Sequence, residues 1–393
     1  MPSVHLPPEI WLRIAEFLPK HDAVQLCNTS SRFLSTIRPV VYRGLSLSQA
    51  RDLDTASHYI DTTLSLLERD AELAQAVHEL SLLACPAPPS GQKPVGLSSL
   101  ISVNAMRNMT GLRRLEIAHS VFHTIETAQV SAFCGAVRNM QALEELVIQN
   151  PNVWFDDPGI GISATEYAKF QGLKKIEWTS STNSDVLLGL QCLLSASRET
   201  LESLSLDILR LDSKIQNAIF TIRFPCLESL TIRQSGGLMR DVFVDFLFTH
   251  DTLTHLDLGL RTRAFLFEDR LGGNAVHLHS ETLPRLRSFC GSVLSLYTMA
   301  KAGLHCIDTA LEKVDVSPFH RWGIEDTADQ LAEMLAPRRF ERVEQFRIWE
   351  VEEDDQEAIV SAVRALFPRG VIEARREPPP EVIVEARIEV QRE

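Results

Sequence analysis

Chemistry needs a nucleophile, an acid or base, or metal ligands at workable spacing, and this chain has few such groupings. Two histidines alternate at His277-Leu-His279; in a strand both rings face one side, half of a metal site with no further spaced ligands. Seven cysteines are spread from Cys27 to Cys306 with no CxxC pair, the pattern of buried reduced thiols rather than of a disulfide or zinc framework. Gly159-Ile-Gly161 lacks the preceding strand, the third glycine and the following helix of a phosphate-binding turn. The acidic run Glu352-Glu-Asp-Asp355 suits a helix amino terminus. No catalytic residue, metal or cofactor is expected. The chain reads as a protein that binds and not as an enzyme.

What would position binding residues is a repeated spacing, apolar at places one, four and six. Leu227-Glu-Ser-Leu230-Thr-Ile232 is the clearest copy, and others begin at Val77, Leu112, Leu143, Leu173, Leu201, Leu253, Leu311 and Val343, with degenerate copies at Tyr42 and Leu286. Place five is polar in all but two, Val147 and Cys290. Places four and six follow the two-residue period of a strand with one buried face, and place one closes the turn before it. Copies start 25 to 35 residues apart; so short a unit cannot bury its own apolar face, and neighbours must stack.

Composition agrees with a globular binder. Hydrophobic residues make up 45% and charged residues 23%, and the net charge of −13 disfavours nucleic acid and acidic membranes as partners. No apolar run approaches membrane-spanning length, and Met1-Pro-Ser-Val-His lacks the basic and apolar regions of a secretory signal. The expected location is cytoplasmic, nuclear or both.

From about 40 to 350 the repeats resemble the leucine-rich repeat, although the asparagine that follows the strand in that family is mostly absent. The resemblance implies an α/β fold, an irregular solenoid with parallel strands on a concave face and helices on the convex face. Outward residues at places three, five and seven would then form the face that holds a protein target. They include Lys175, Glu177, Arg233, His255, Asp257, Arg347 and Trp349. An exposed Trp349 beside Arg347 has the composition of an interface hot spot; packing of Trp349 against the last helix is the alternative.

The amino-terminal segment is different. Leu6-Pro-Pro-Glu-Ile10 opens a helix running to about Leu18, with Pro8 preset for the first turn and Glu9 at the positive dipole end. Ile10, Ile14, Phe17 and Leu18 form one stripe, widened by Trp11, Leu12 and Ala15 to an arc of roughly 220°. Packing on one core uses only about 100°, so a partner or a later segment must cover the rest. A second helix is expected after Asp22 as N-cap, carrying Val24 and Leu26, and a third after Asn28 to Ser31, with Phe33, Leu34 and Ile37, stopped by Pro39.

Leu6-Pro7, Glu9-Ile10, Leu12, Ile14, Phe17-Leu18, Asp22 and the Ser31-Arg32-Phe33 step resemble an F-box. That resemblance implies docking onto the Skp-type adaptor of a cullin-RING ubiquitin ligase through Leu6, Pro7, Pro8, Glu9, Ile10, Trp11, Ile14, Phe17, Leu18 and Leu26. The repeats would then choose the substrate. The expected organisation is a three-helix module over 1–45, repeats over 46–376 and a charged tail over 377–393. Helices are expected over 51–76, 324–335 and 355–367, and loops at 86–94 and 151–161. The tail alternates apolar and charged residues in part, the pattern of a capping strand or of a disordered segment. The expected function is substrate recognition within a Skp/cullin/F-box ligase; the alternative is a repeat scaffold without ligase connection.

Overall fold

In a computed structural model of the chain, places four and six of the repeat form the inward side of short parallel strands. The structure describes residues 6–48, 53–83, 102–118, 127–149, 167–180, 184–208, 213–233, 240–259, 278–317, 340–349, 351 and 353–375. The chain divides into two compact units, Met1–Ile208 with Phe224–Cys226, and Leu209–Arg223 with Leu227–Glu393.

The first unit opens with helices α1 (Pro8–Phe17), α2 (Lys20–Thr29) and α3 (Ser31–Tyr42). Strands β1 (Gly44–Ser48), β2 (Glu79–Leu83), β3 (Arg114–Ala118), β4 (Glu145–Gln149), β5 (Lys175–Ser180) and β6 (Ser203–Ile208) follow, each parallel to the next. Between them lie α4 (Leu53–Arg69), α5 (Ala71–Gln75), α6 (Val103–Asn108), α7 (Thr127–Arg138) and α8 (Ser184–Ser197).

Register aligns the repeat positions. Leu45, Leu80, Leu115, Leu146, Ile176 and Leu204 make one row, and Leu47, Leu82, Ile117, Ile148, Trp178 and Leu206 the next. All twelve are buried. Such side chains cost about 2–5 kcal/mol each when a leucine or isoleucine is cut to alanine. Place one is buried too, at Val77, Leu112, Leu143, Leu173 and Leu201. It sits at a turn in which two successive amides share one carbonyl of the preceding unit: Arg113 and Arg114 donate to His78, Glu144 and Glu145 to Arg113, Lys174 and Lys175 to Glu144. Each turn thus hands its backbone donors to its neighbour, leaving none to be buried unpaired.

The second unit repeats the plan with β7 (Ser229–Arg233), β8 (His255–Asp257), β9 (Ser288–Ser292), β10 (Lys313–Ser317), β11 (Gln345–Ile348) and β12 (Val371–Ala374), again parallel in order. Its helices are α9 (Ser213–Phe220), α10 (Arg240–Thr249), α11 (Val293–Lys301), α12 (His305–Thr309) and α13 (Glu353–Val363). Aromatic rings fill its interior: Phe220 meets Phe243 and Phe246 edge-on at 5.3 Å, and Phe367 stacks on Phe340 and Phe346 at 4.7 and 4.2 Å. The degenerate copy at Leu286 has a packing reason. A side chain at Gly291, in place six, would stand 2.8 Å from the Phe289 ring, which takes that space.

All eleven expected copies carry a strand, and β12 is a twelfth. It escapes the repeat pattern because Arg369 stands at place one, where the others have an apolar or aromatic residue. The helix expected over 51–76 breaks at Asp70, whose carboxylate accepts the Leu73 amide at 3.0 Å and starts α5. Asp22 is not an N-cap, since α2 begins at Lys20 with Pro19 in the cap position. Pro39 does not end α3, which continues to Tyr42. Burial of Ile37 and packing of Val40 and Val41 on the same core offset a helix penalty of about 3 kcal/mol. The helix expected over 355–367 is shifted to Glu353–Val363. The loops at 86–94 and 151–161, the helix over 324–335 and the tail lie outside the described residues.

Two predictions follow from this packing. A Cβ at Gly111 would lie 2.3 Å from the Gln75 carbonyl oxygen, so Gly111→Ala lowers stability by about 1–3 kcal/mol in urea denaturation. His250 is buried, with Nδ1 2.6 Å from the Phe246 carbonyl oxygen and its ring on Phe246. Burial, followed by the smaller repulsion of Arg223, pulls its pKa down, while the Phe246 carbonyl and Asp251 partly oppose this. A histidine kept neutral in the fold stabilises fully above its unfolded pKa of about 6.5. That contribution fades as pH falls from there through the lower folded value. Thermal midpoints measured from pH 7.5 to 5 fall less steeply in His250→Phe than in the wild type.

Candidate interaction surfaces

The three amino-terminal helices share a small core of Ala15, Ala23, Cys27 and Ile37, lined by Leu18, Leu26, Phe33, Val40 and Val41. Pro7 and Pro8 start α1, and the Ser30 hydroxyl caps α3 by accepting the Phe33 amide at 3.2 Å. Trp11 meets Phe33 edge-on at 4.6 Å. The module is tied to the strand behind it. Lys20 Nζ donates to the Gly44 carbonyl at 2.7 Å, and Arg38 pairs with Asp70 at 3.2 Å. Beneath Lys20 lies an open recess of about 250 Å3 walled by Ala15, Leu18, Ala23, Val40 and Val41, and burial lowers the lysine pKa.

The wide apolar arc of α1 divides in two. Trp11 and Leu18 turn toward the core and are half-buried, as is Leu26 on α2. Ile10 is 45% exposed and Phe17, seven residues on, is 86% exposed; seven helical residues return to nearly the same side, with half-buried Ile14 between them. Leu6 is half-buried, while Pro7, Pro8 and Glu9 are exposed. Val24 and Leu34 are exposed as well, and neither stood among the residues expected to dock. A signal for Val24 was present: Ala23 and Cys27, four apart, mark the inward side of α2, and Val24 lies about 100° from Ala23.

The second surface is the polar side of the strands. In the first unit Glu145 serves two cations, Arg114 at 3.4 Å and Lys175 at 2.6 Å. Glu116, 5% exposed, accepts from Ser81 at 2.9 Å and Gln149 at 2.7 Å and faces Arg114 at 3.5 Å. Glu177 is half-buried beside this row. At the turns, Glu144 and Lys174 pair at 2.8 Å; that hydrogen bond lowers the pKa of the one and raises that of the other.

In the second unit place five runs Asp257, Cys290, Asp315, Arg347 and Glu373 across β8 to β12. Arg233 reaches Asp257 at 3.5 Å, and Asp257 also accepts the Gly259 amide at 2.8 Å. Asp315 faces Lys313 at 3.3 Å and Arg347 at 3.7 Å, and Arg347 meets Glu373 at 3.2 Å. His255 is exposed, its ring 2.7 Å from the Thr254 hydroxyl. Trp349 is not an exposed anchor. It is 3% exposed, its indole N–H donates to Asp315 at 3.3 Å, and the Arg375 guanidinium lies over its ring. An aromatic with a polar tip is buried where that tip finds an acceptor.

Nothing in these rows assembles a nucleophile and base. Burial, then Asp257, holds the Cys290 thiol protonated, and burial pushes Cys306 up to about 12. A thiol so raised is a poor nucleophile. His279 sits against Phe248 at 5.2 Å and is not in a strand, while His277 lies outside the described residues. Among the described residues no group of three or more His, Cys, Asp or Glu is placed to hold a metal, and no helix is long and apolar enough to cross a membrane.

No protein-family model matches the chain, and no curated protein does. Among solved structures it is similar to the leucine-rich repeat-containing protein LegL7 from Legionella pneumophila, at 12% identity over 84% of this chain and 89% of that one. The TM-score is 0.41. A likeness at that level transfers no function.

The environment of Trp349 sets its role. Trp349→Ala lowers stability by about 3–5 kcal/mol in chemical denaturation, whereas His255→Ala changes it by less than about 0.5 kcal/mol.

Proposed function

We propose that the chain is a substrate-recognition subunit of a Skp/cullin/F-box ubiquitin ligase, its three-helix module docking the Skp-type adaptor and its repeats holding a protein target. The observation that carries this reading is the exposure of Ile10 and Phe17 on one side of α1. The module's own core is already complete without them. Large exposed apolar side chains on a helical module suit protein docking, and the Leu6-Pro7 start together with the Ser31-Arg32-Phe33 step resembles the F-box. Catalysis on this reading belongs to the assembled ligase, and the chain contributes proximity. The strand rows supply mixed charge for a polar protein surface: Lys175 and Glu177 in the first unit, and Arg233, His255, Asp257 and Arg347 in the second.

The test is a binding assay between the full chain and a purified Skp-type adaptor. Ile10→Asp with Phe17→Asp lowers affinity about a hundredfold or more and leaves the circular dichroism spectrum and thermal midpoint unchanged. Leu18 is unsuitable as a target, because it packs on the module core. Undiminished binding by the double variant overturns the docking surface. A wild-type chain that ignores the adaptor yet retains other partners leaves the repeat scaffold as the function.

A further inference from the structure

The recess beneath Lys20 has neither Ile10 nor Phe17 among its walls, so it is separate from the exposed apolar side of α1. Its lining is apolar and small. Ala15 on α1 and Ala23 on α2 pack toward Val40 and Val41 of α3, and an alanine ends at Cβ where a longer side chain would fill the space. A volume of about 250 Å3 holds about eight groups of the size of water, at about 30 Å3 each.

Charge gives the recess a sign. Four charged residues line it, Glu16, Lys20, Arg43 and Glu79. Glu16 is held by Arg13 at 3.3 Å, so Lys20 and Arg43 against Glu79 leave positive charge in excess, in a chain whose net charge is −13. The Lys20 ammonium has three N–H groups to give. The Gly44 carbonyl takes one at 2.7 Å, and among the described residues the others meet no acceptor. Desolvation lowers the pKa of this lysine, so an anion beside it restores part of what it has lost in hydration. Apolar walls with a few oriented polar groups are the makings of a small-molecule site.

We infer that this recess binds a free short-chain aliphatic carboxylate, its carboxylate on Lys20 and Arg43 and its hydrocarbon tail on Ala15, Ala23, Val40 and Val41. A monoanion balances the excess charge. A tail of about five carbons with its carboxyl group fills the volume, whereas a long fatty acid overruns it. A phosphate monoester brings a second negative charge close to Glu79, and a neutral ligand leaves the ammonium unpaired. Because the lining comes from α1, α2 and α3 and from Gly44 of β1 and Glu79 of β2, a bound acid joins the helical module to the first two strands and stabilises that junction.

The test is titration of the full chain with isocaproate, followed by calorimetry and by methyl NMR at Val40 and Val41. Those methyl signals shift saturably. Isocaproamide, the same shape without the charge, binds about tenfold or more weaker, and acetate, the charge without the tail, also loses about tenfold or more. Lys20→Met weakens isocaproate to a similar degree. Isocaproamide binding as tightly as isocaproate overturns the proposal, and this comparison on the wild-type chain holds even if Lys20→Met disturbs the module. An absence of saturable shifts overturns it too. So does tighter binding of N-acetylglycylleucine, which assigns the recess to the carboxyl terminus of another protein. Ile10→Asp with Phe17→Asp binds isocaproate as the wild type does, so the outcome here is independent of adaptor docking; loss of isocaproate binding in that variant places the acid on the exposed side of α1 and overturns the recess as its site.

Discussion

A strand five residues long with one apolar side cannot stand by itself, and everything else in the molecule answers to that constraint. Its apolar residues are shielded only when the next strand lays its own alongside in the same register. In the first unit, Leu80 lies between Leu45 and Leu115, and Trp178 between Ile148 and Leu206. The backbone follows the same rule, since the turn before each strand takes its hydrogen bonds from the turn of the previous repeat. Side chain and main chain therefore depend on the same neighbour, and order along the sequence becomes order in space.

The same rule leaves the first strand of the first unit with one side to be managed. At β1 the rows remain buried, with Leu45 at 5% and Leu47 at 0% exposure. There Lys20 sets a charged group on the Gly44 carbonyl and brings the three helices against the first strand. A lysine on a strand edge also discourages foreign pairing. The amino-terminal module is thus part of the repeat's support as well as a surface of its own. Its exposed Ile10 and Phe17 are not needed for that support.

Much of this was legible in the sequence because the repeat is written in residue type. Apolar places four and six announced eleven strands, even the copy ending at Gly291, where the bulk of Phe289 replaces the missing side chain. Arg369 hid the twelfth, since a turn near an exposed end can do without an apolar residue. Capping and kinks were less legible. Asp70 looked like any helical surface residue, and Pro39 looked like a stop, because the packing of Ile37, Val40 and Val41 is a tertiary fact. Trp349 was ambiguous for a related reason: place seven faces solvent only if nothing leans over it, and Asp315 and Arg375, 34 and 26 residues away, enclose it. Residue type placed the first helix, but the division of its apolar arc into Ile10 and Phe17 outside and Trp11 and Leu18 inside needed the third helix.

The sharing of Glu145 between Arg114 and Lys175 bears on how such a chain can change over generations. One carboxylate neutralises cations on both flanking repeats, and Glu116 likewise leans on Ser81 in front and Gln149 behind. Excising or duplicating a single repeat would strand a partner on each side of the splice. Recombination in this lineage should therefore conserve blocks of adjacent repeats, with novelty concentrated in the variable-length returns between them.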